Sequence, residues 1–239
     1  MINTKTFITK FRVFLTSIFG KPFSAIPDHL VEDSEIISFD VFDTLIIRPG
    51  LSVPSELFDL IYPNDKSFKD KRIEAEKKAR IEGRRNGFEE ITLTDIYKFL
   101  YPKRPTKELE SIMQKEIETE LAFCKPNPNA LAFYNNCRER QHPPRIIIVS
   151  DMYLSASVIS TILVNSGYDI SGVNIYVSSE CGRTKRVGNL FKKVISDEHM
   201  KGKERKILHI GDNTITDYLM ARKVGIKGII CRTHISNTS

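Results

Sequence analysis

The chain has 239 residues, of which 41% are hydrophobic and 28% are charged. These proportions are typical of a folded globular protein and exclude disordered and collagen-like classes, while the length allows one large domain or a core domain with a smaller appendage. The formal net charge of +6 suits a phosphorylated or otherwise anionic ligand, but the excess is too small to predict nucleic-acid binding.

The cysteines and the hydropathy pattern indicate where the protein works. Cys124, Cys137, Cys181 and Cys231 are scattered, without CxxC spacing and without a histidine at zinc spacing. This pattern disfavours a disulfide framework or structural zinc and favours a reducing compartment. No run approaches the roughly 20 apolar residues of a membrane span. We therefore predict a cytoplasmic protein.

Residues 1–33 stand apart from the rest of the chain. Apolar residues fall there at helical spacing, with basic residues between them: Phe7, Ile8, Phe11, Phe14, Leu15 and Ile18. This pattern predicts a basic amphipathic helix that ends before Gly20 and Pro22. A signal peptide is disfavoured, because Arg12, Thr16 and Ser17 break the apolar stretch and no convincing small-residue cleavage site follows. Two roles stay open. The helix packs against the core or a partner protein, or it lies on an anionic surface such as the inner membrane.

The stretch 35–47, EIISFDVFDTLII, predicts a buried strand from Ile36 to Phe39, followed by Asp40 and Asp43. Burying ionised carboxylates without partners is costly. An acid pair at the end of an apolar strand therefore indicates a bound cation, a hydrogen-bond network or catalysis.

Residues 51–126 read as helices without strands. The predicted helices span 57–61, 69–81, 95–100 and 108–123, and Thr94 is a plausible start for the third. Several charged residues of this block could bind an anionic substrate, although a charged helix usually presents a solvated face: Arg72, Glu76, Arg80, Arg84 and Arg85. The block predicts a helical subdomain inserted after the first strand.

From residue 127 onward, helices and strands alternate. Helices are predicted over 130–140, 156–166, 188–195 and 217–224, and strands over 145–149, 173–177, 206–210 and 228–231. This alternation predicts an α/β fold, a doubly wound parallel sheet covered on both faces. In such sheets the ligand lies at the carboxyl ends of the strands.

The residues at those strand ends make one chemical set. They are Asp40 and Asp43, then Ser150 and Asp151, then Lys185 in a loop, and finally Asp212 and Asp217. Carboxylates beside a hydroxyl and an ammonium suit Mg²⁺, which prefers oxygen ligands, together with a phosphate group. His209, inside an apolar strand, is predicted to be a packed core histidine.

Four motifs of this set resemble those of the haloacid dehalogenase superfamily, in its phosphatase branch, over roughly residues 35–231. The motifs are ISFDVFDTL with Asp40, IIIVSD with Ser150, Lys185 followed six residues later by Phe191, and GDNTITD from 211 to 217. The resemblance implies a Rossmann-like core over residues 34–50 and 127–239 and a type-one helical cap over 51–126. It also implies a small phosphorylated substrate.

The resemblance further implies a role for each site residue. Asp40 would be the nucleophile that forms an aspartyl-phosphate. Mg²⁺ would be held by Asp40, the backbone carbonyl of Phe42, Asp212 and Asp217. The phosphoryl group would be bound by Thr44, Ser150, Asp151 and Lys185, and the lysine would also assist catalysis.

One position departs from the family pattern. Phosphatases of the family usually carry a second aspartate two residues after the nucleophile, as general acid and base, where this chain has Phe42. Asp43 comes one residue late and would point to the opposite face of an extended strand, unless a turn follows. The general acid stays open between Asp43, Asp151 and a cap residue.

The aromatic at position 42 resembles dehalogenating members, but GDNTITD suits magnesium, which dehalogenases do not need. We therefore predict a phosphatase. Two alternatives are a weakly catalytic, phosphate-binding scaffold domain of a polysaccharide assembly system and a dehalogenase. The segments RIEAEKKAR, ITLTDIY, SDMYL and HIGDN are similar to predicted bacterial hydrolases encoded near surface-polysaccharide genes. That similarity implies a sugar, polyol or glycan phosphate as substrate.

Overall fold

A computed structural model describes residues 20–231 and contains a five-stranded parallel sheet. In chain order the strands are β1 (Ile36–Phe39), β2 (Ile46–Ile47), β3 (Lys125–Pro126), β4 (Arg145–Ser150), β5 (Asn174–Val177), β6 (Ile207–Gly211) and β7 (Lys227–Ile230). The sheet has the order β5-β4-β1-β6-β7, whereas β2 and β3 form a separate antiparallel pair. The predicted α/β, Rossmann-like fold is confirmed.

Strand β1 lies at the centre of the sheet. Ile37 is paired with Ile146 of β4 on one side and with Leu208 of β6 on the other. All four residues of β1 are buried, as expected for a strand covered on both faces. The carboxyl ends of β4, β1 and β6 therefore lie side by side.

The helices agree closely with the predicted ranges. The α-helices are α1 (Asp28–Glu32), α2 (Leu57–Ile61), α3 (Phe68–Arg85), α4 (Leu93–Leu100), α5 (Thr106–Phe123), α6 (Pro128–Arg138), α7 (Ala156–Asn165), α8 (Ser178–Cys181), α9 (Asn189–Asp197) and α10 (Met220–Lys223). A π-helical turn, Thr214–Leu219, precedes α10. Helices α2 to α5 all lie between β2 and β3, where the sequence predicts an inserted helical block.

The short pair of β2 and β3 joins the two ends of this insert. Ile46 is opposite Pro126 and Ile47 is opposite Lys125. The Asn127 N–H also donates to the Leu45 carbonyl at 2.8 Å. The chain thus leaves the sheet and returns to it at adjacent points, although the sequence analysis predicted no strand here.

Arg72 is an exception to the predicted solvated face of the charged helix. Its side chain is fully buried, and its guanidinium donates two hydrogen bonds to Glu116 of α5 at 2.8 and 2.9 Å. The Tyr97 hydroxyl donates to the same carboxylate at 2.8 Å. The prediction is therefore wrong for Arg72, because it lies on the face of α3 that packs inward with Ala75 and Ala79.

The start of α4 also differs from the prediction. The N-cap is Thr92 rather than Thr94: its Oγ1 accepts the Asp95 N–H at 3.2 Å, and Asp95 Oδ2 accepts the Thr92 N–H at 2.9 Å. This reciprocal pair is a capping box, which satisfies two helix-end donors at once.

The predicted amphipathic helix of residues 7–18 lies outside the described residues. The residues that follow it pack on the sheet: the Lys21 N–H donates to the Ile230 carbonyl at 2.9 Å, and the buried Phe23 ring lies 5.7 Å from that of Phe133. Across residues 20–231, no helix has both the length and the apolar character that crossing a membrane requires.

Candidate active site

Three buried carboxylates meet at the carboxyl ends of the central strands. Asp40 directly follows β1, Asp212 directly follows β6, and Asp217 lies one turn further along the chain. Oxygen atoms of these three side chains all lie within 4.8 Å of one another. The strand order brings them together, because β1 and β6 are neighbours in the sheet.

Lys185 supplies a positive charge to this cluster. Its Nζ donates to Asp40 Oδ1 at 2.5 Å and to Asp217 Oδ1 at 2.6 Å, and the residue is 2% exposed. The loop before α9 therefore places Lys185 beside the carboxylates at the carboxyl ends of the strands, as predicted from the sequence. A single ammonium thus contacts two of the three buried carboxylates.

The charges of the cluster determine the protonation of its members. Burial raises the pKa of Asp40 to about 6, against the opposing effect of Lys185. Burial also acts to raise the pKa of Asp217, but Lys185 and His209 outweigh it and hold that pKa well below its ordinary value. Burial acts to lower the pKa of Lys185, but Asp217 and Asp40 outweigh it, so the ammonium stays charged.

His209 is buried in the core, as predicted, but it also contacts the site. Its Nε2 lies 3.2 Å from Asp217 Oδ1, and its Nδ1 lies 2.8 Å from Ser38 Oγ. Burial lowers the pKa of His209, which favours the neutral ring. A neutral ring satisfies both contacts if Nε2–H donates to Asp217 and Nδ1 accepts from the Ser38 hydroxyl. This contact between His209 and Asp217 was not predicted from the sequence.

Gly211 makes room for Asp217. A Cβ atom at position 211 would lie 2.4 Å from Asp217 Cγ, closer than any real contact. The Asn213 N–H holds the same carboxylate by donating to Asp217 Oδ2 at 2.9 Å. The turn that carries Asp217 is π-helical, a conformation frequent at functional sites.

The chain turns sharply after Asp40. Asp43 has a φ of +58°, its N–H donates to the Ile46 carbonyl at 2.8 Å, and the Ile46 N–H donates to the Val41 carbonyl at 2.9 Å. Aspartate is one of the residues that tolerate this left-handed conformation. Because the backbone is no longer extended, the strand-alternation argument against Asp43 does not apply.

The remaining predicted residues surround this cluster. Thr44 is buried, and its hydroxyl donates to Asp40 Oδ2 at 3.4 Å. Ser150 is buried at the end of β4. Asp151 accepts the backbone N–H of Lys185 at 2.7 Å and that of Arg186 at 3.3 Å, so it holds the lysine loop. Their roles toward a substrate stay predictions.

The donor set fits a magnesium ion. Asp40, Asp212 and Asp217 offer carboxylate oxygens within 4.8 Å of one another, and these are the ligands that Mg²⁺ prefers. Within residues 20–231, two buried side-chain atoms lack a hydrogen-bond partner, and one of them is the Thr214 hydroxyl, two residues after Asp212. An acid-rich cluster of this kind therefore suits a hard cation.

No family model matches the chain, and no curated protein matches it. Solved structures do match. HAD-hydrolase YfnB from Bacillus subtilis, bound to magnesium, is 16% identical with a TM-score of 0.54, over 80% of this chain and 85% of that one. L-2-haloacid dehalogenase from Xanthobacter autotrophicus is 12% identical with a TM-score of 0.51, over 81% of this chain and 75% of that one.

A predicted phosphoglycolate phosphatase from Haemophilus somnus is 14% identical with a TM-score of 0.50, over 81% of this chain and 83% of that one. The similar structures thus include a dehalogenase and a predicted phosphatase. At these identities the likeness is one of fold, and the choice between the two reactions must come from the site itself.

Proposed function

We propose that this chain, which has the fold of the haloacid dehalogenase-like hydrolases, is a magnesium-dependent phosphohydrolase that acts through an aspartyl-phosphate on Asp40. The observation that carries the proposal is the contact of Lys185 with both Asp40 and Asp217, beside Asp212. This arrangement provides a nucleophile, a fixed positive charge and a set of oxygen ligands in one place.

The chemistry divides one difficult displacement into two. An Asp40 carboxylate oxygen attacks phosphorus, and the bond from phosphorus to the leaving oxygen breaks as that oxygen takes a proton from an acid–base group of the site. Water then attacks the phosphorus of the aspartyl-phosphate, loses a proton to the same acid–base group, and releases phosphate and the free Asp40 carboxylate.

Lys185, Thr44 and Ser150 support these steps. The lysine fixes one Asp40 oxygen at 2.5 Å and neutralises negative charge as the dianionic phosphate approaches. The buried hydroxyls of Thr44 and Ser150 offer hydrogen-bond donors for phosphoryl oxygens. Mg²⁺, held by Asp40, Asp212, Asp217 and the Phe42 carbonyl, would neutralise phosphoryl charge when bound.

Asp43 is the acid–base group that we favour. It follows Asp40 by three residues, and the turn there frees it from strand alternation. Asp151 is less suitable, because both of its oxygens already accept backbone N–H groups of the lysine loop. A proton-transferring side chain contributes about 10²–10⁴-fold to the rate.

The substrate that we propose is a small phosphorylated metabolite, in particular a sugar or polyol phosphate of glycan synthesis. In this proposal residues 34–50 and 127–239 form the catalytic core and residues 51–126 form a cap that selects the substrate. Residues 1–33 would contact a partner protein or an anionic membrane surface.

The test is hydrolysis of a panel of sugar phosphates and an aryl phosphate, alongside halide release from short 2-haloacids. We expect phosphate release that needs Mg²⁺ and is lost with EDTA and in Asp40→Asn. Halide release without phosphate release would overturn the proposal in favour of a dehalogenase.

Phe42 favours one second candidate, a phosphate-binding scaffold with feeble turnover, because an aromatic ring stands where the family's phosphatases usually have an acid. That candidate predicts phosphate binding by the wild-type chain without hydrolysis of any substrate in the panel.

A further inference from the structure

We infer that Glu89, in the loop between α3 and α4, is a positioning residue that holds Lys185 in place from the insert side. The catalytic meaning of this contact rests on the function proposed for Lys185 above. The contact itself is a property of the fold and can be measured without any turnover.

Both carboxylate oxygens of Glu89 bind the loop that carries the lysine. Oε2 accepts the Thr184 N–H at 2.8 Å and lies 3.4 Å from the Thr184 hydroxyl, while Oε1 accepts the Asn189 side-chain amide at 2.5 Å. Thr184 directly precedes Lys185, and Asn189 begins α9. The Glu89 carboxylate therefore bridges the two ends of the lysine loop, Thr184 and Asn189.

A second carboxylate holds the same loop from the sheet side. Asp151, directly after β4, accepts the Lys185 N–H at 2.7 Å. The loop also closes on itself through the Leu190 N–H, which donates to the Thr184 carbonyl at 3.1 Å. The backbone of Lys185 is thus fixed by Asp151, and the loop ends that flank it are fixed by Glu89.

Neighbouring contacts hold the insert segment around Glu89 against the residues that follow β4 and β5. Glu90 Oε2 accepts the Ser178 hydroxyl at 3.1 Å, and the Leu93 N–H donates to the Tyr153 carbonyl at 3.0 Å. Within residues 20–231, Glu89 forms no ion pair with a lysine or arginine, and its carboxylate instead binds Thr184 and Asn189 of the lysine loop. The placement of Lys185 therefore depends on how the insert is seated.

Three variants separate this role from a general packing role. Glu89→Ala removes both contacts. Glu89→Gln keeps an oxygen that accepts the Thr184 N–H. The Asn189 amide can turn so that its oxygen accepts from the new NH₂ group, and the Glu89→Gln protein should therefore behave like wild type. Glu82→Ala is the matched control, because Glu82 is exposed on the same insert and its carboxylate contacts Asn86 and Arg85 among the described residues 20–231.

The experiment is hydrogen–deuterium exchange of the full chain, read peptide by peptide. We expect Glu89→Ala to speed exchange in residues 184–190 at least about tenfold, since the Thr184 N–H and the Asn189 amide both lose their acceptor. Exchange in β6 should stay at the wild-type rate in all variants, and Glu82→Ala and Glu89→Gln should match wild type throughout.

Unchanged exchange over 184–190 in Glu89→Ala would overturn the inference, and so would faster exchange spread evenly over the whole molecule. In a parallel assay of hydrolysis we expect Glu89→Ala to lower kcat roughly tenfold and Glu89→Gln to restore it, because a displaced catalytic group slows the chemical step. If the wild type hydrolyses no phosphate, the proposed function fails while the exchange result still decides the role of Glu89.

Discussion

The guanidinium of Arg48 lies over the ring of Phe42, 4.2 Å from its centroid. The same guanidinium donates two hydrogen bonds to Glu120 of α5, at 2.9 and 3.0 Å, and both side chains of this ion pair are nearly buried. Phe42 thus connects the turn after Asp40 to a helix of the insert. Phe42, at the position where the phosphatases that this sequence resembles usually have an aspartate, therefore makes a structural contact with Arg48.

Phe42→Asp should therefore not increase phosphatase activity. An aspartate at position 42 would lie beside Arg48, which would hold its pKa low and make it a poor proton donor. We expect kcat for a sugar phosphate to stay equal or fall, as measured by steady-state phosphate release, with Phe42→Leu as the apolar control. A tenfold or larger rise in Phe42→Asp alone would support the feeble-scaffold hypothesis instead.

Asp43→Asn tests the proposed proton donor. An alkyl phosphate needs protonation of its leaving oxygen, whereas an aryl phosphate with an acidic phenol does not. We expect kcat to fall about 10²–10⁴-fold with the alkyl substrate and clearly less with the aryl one. Asp151→Asn should lower both rates by similar factors, because it loosens the lysine loop. Equal losses in Asp43→Asn would exclude Asp43 as the acid.

Gly211→Ala should disrupt the site while leaving the sheet intact. The new Cβ would meet Asp217 at 2.4 Å, so Asp217 must move away from Lys185 and His209. We expect loss of most phosphatase activity together with a weaker stabilisation of the fold by Mg²⁺, measured as the shift in Tm on adding the metal. A Gly211→Ala protein with wild-type kcat and the wild-type Tm shift would contradict this geometry.

The buried pair of Arg72 and Glu116 should dominate the stability of the insert. Glu116→Gln leaves the Arg72 charge, which is fully buried, without its main partner, and should cost about 3–5 kcal/mol in the free energy of unfolding. Glu108→Gln, which breaks an exposed pair with Arg104, should cost about 0–1 kcal/mol. Urea unfolding measures both, and equal costs would show that burial does not control this interaction.

Much of this architecture could be predicted because buried parallel strands leave a strong local signal. The apolar runs of β1, β4 and β6 mark the strands, and the polar residue at each carboxyl end marks the site, since neighbouring parallel strands end at one edge. Asp40, Lys185 and Asp217 were therefore identified without coordinates, and the structure brings them into contact.

Other features had a weaker signal or none. Strands β2 and β3 have two residues each and include Pro126, so no periodicity reveals them. Arg72 has its partner 44 residues away in Glu116, and nothing local announces that contact. The cap of α4 was recognisable, because Thr92 has Asp95 three residues later, the spacing of a capping box, whereas Thr94 has no acid at that spacing.

The link from His209 to Asp217 also had a signal. Residues 209 and 211 of β6 share one face of the strand, and a glycine at the second position leaves room for another side chain. Asp217 fills that space and reaches His209.

The proposed role of Asp40 as nucleophile can be tested by looking for a phosphoryl group on its side chain. The chain is mixed with a phosphorylated substrate and Mg²⁺, quenched in acid within the first turnover, and digested for mass spectrometry. We predict that the peptide containing Asp40 gains the mass of one phosphoryl group, and that Asp40→Asn gains none. Rapid phosphate release by the wild type with no phosphorylated peptide, or with the phosphoryl group on another residue, would show that Asp40 is not the nucleophile.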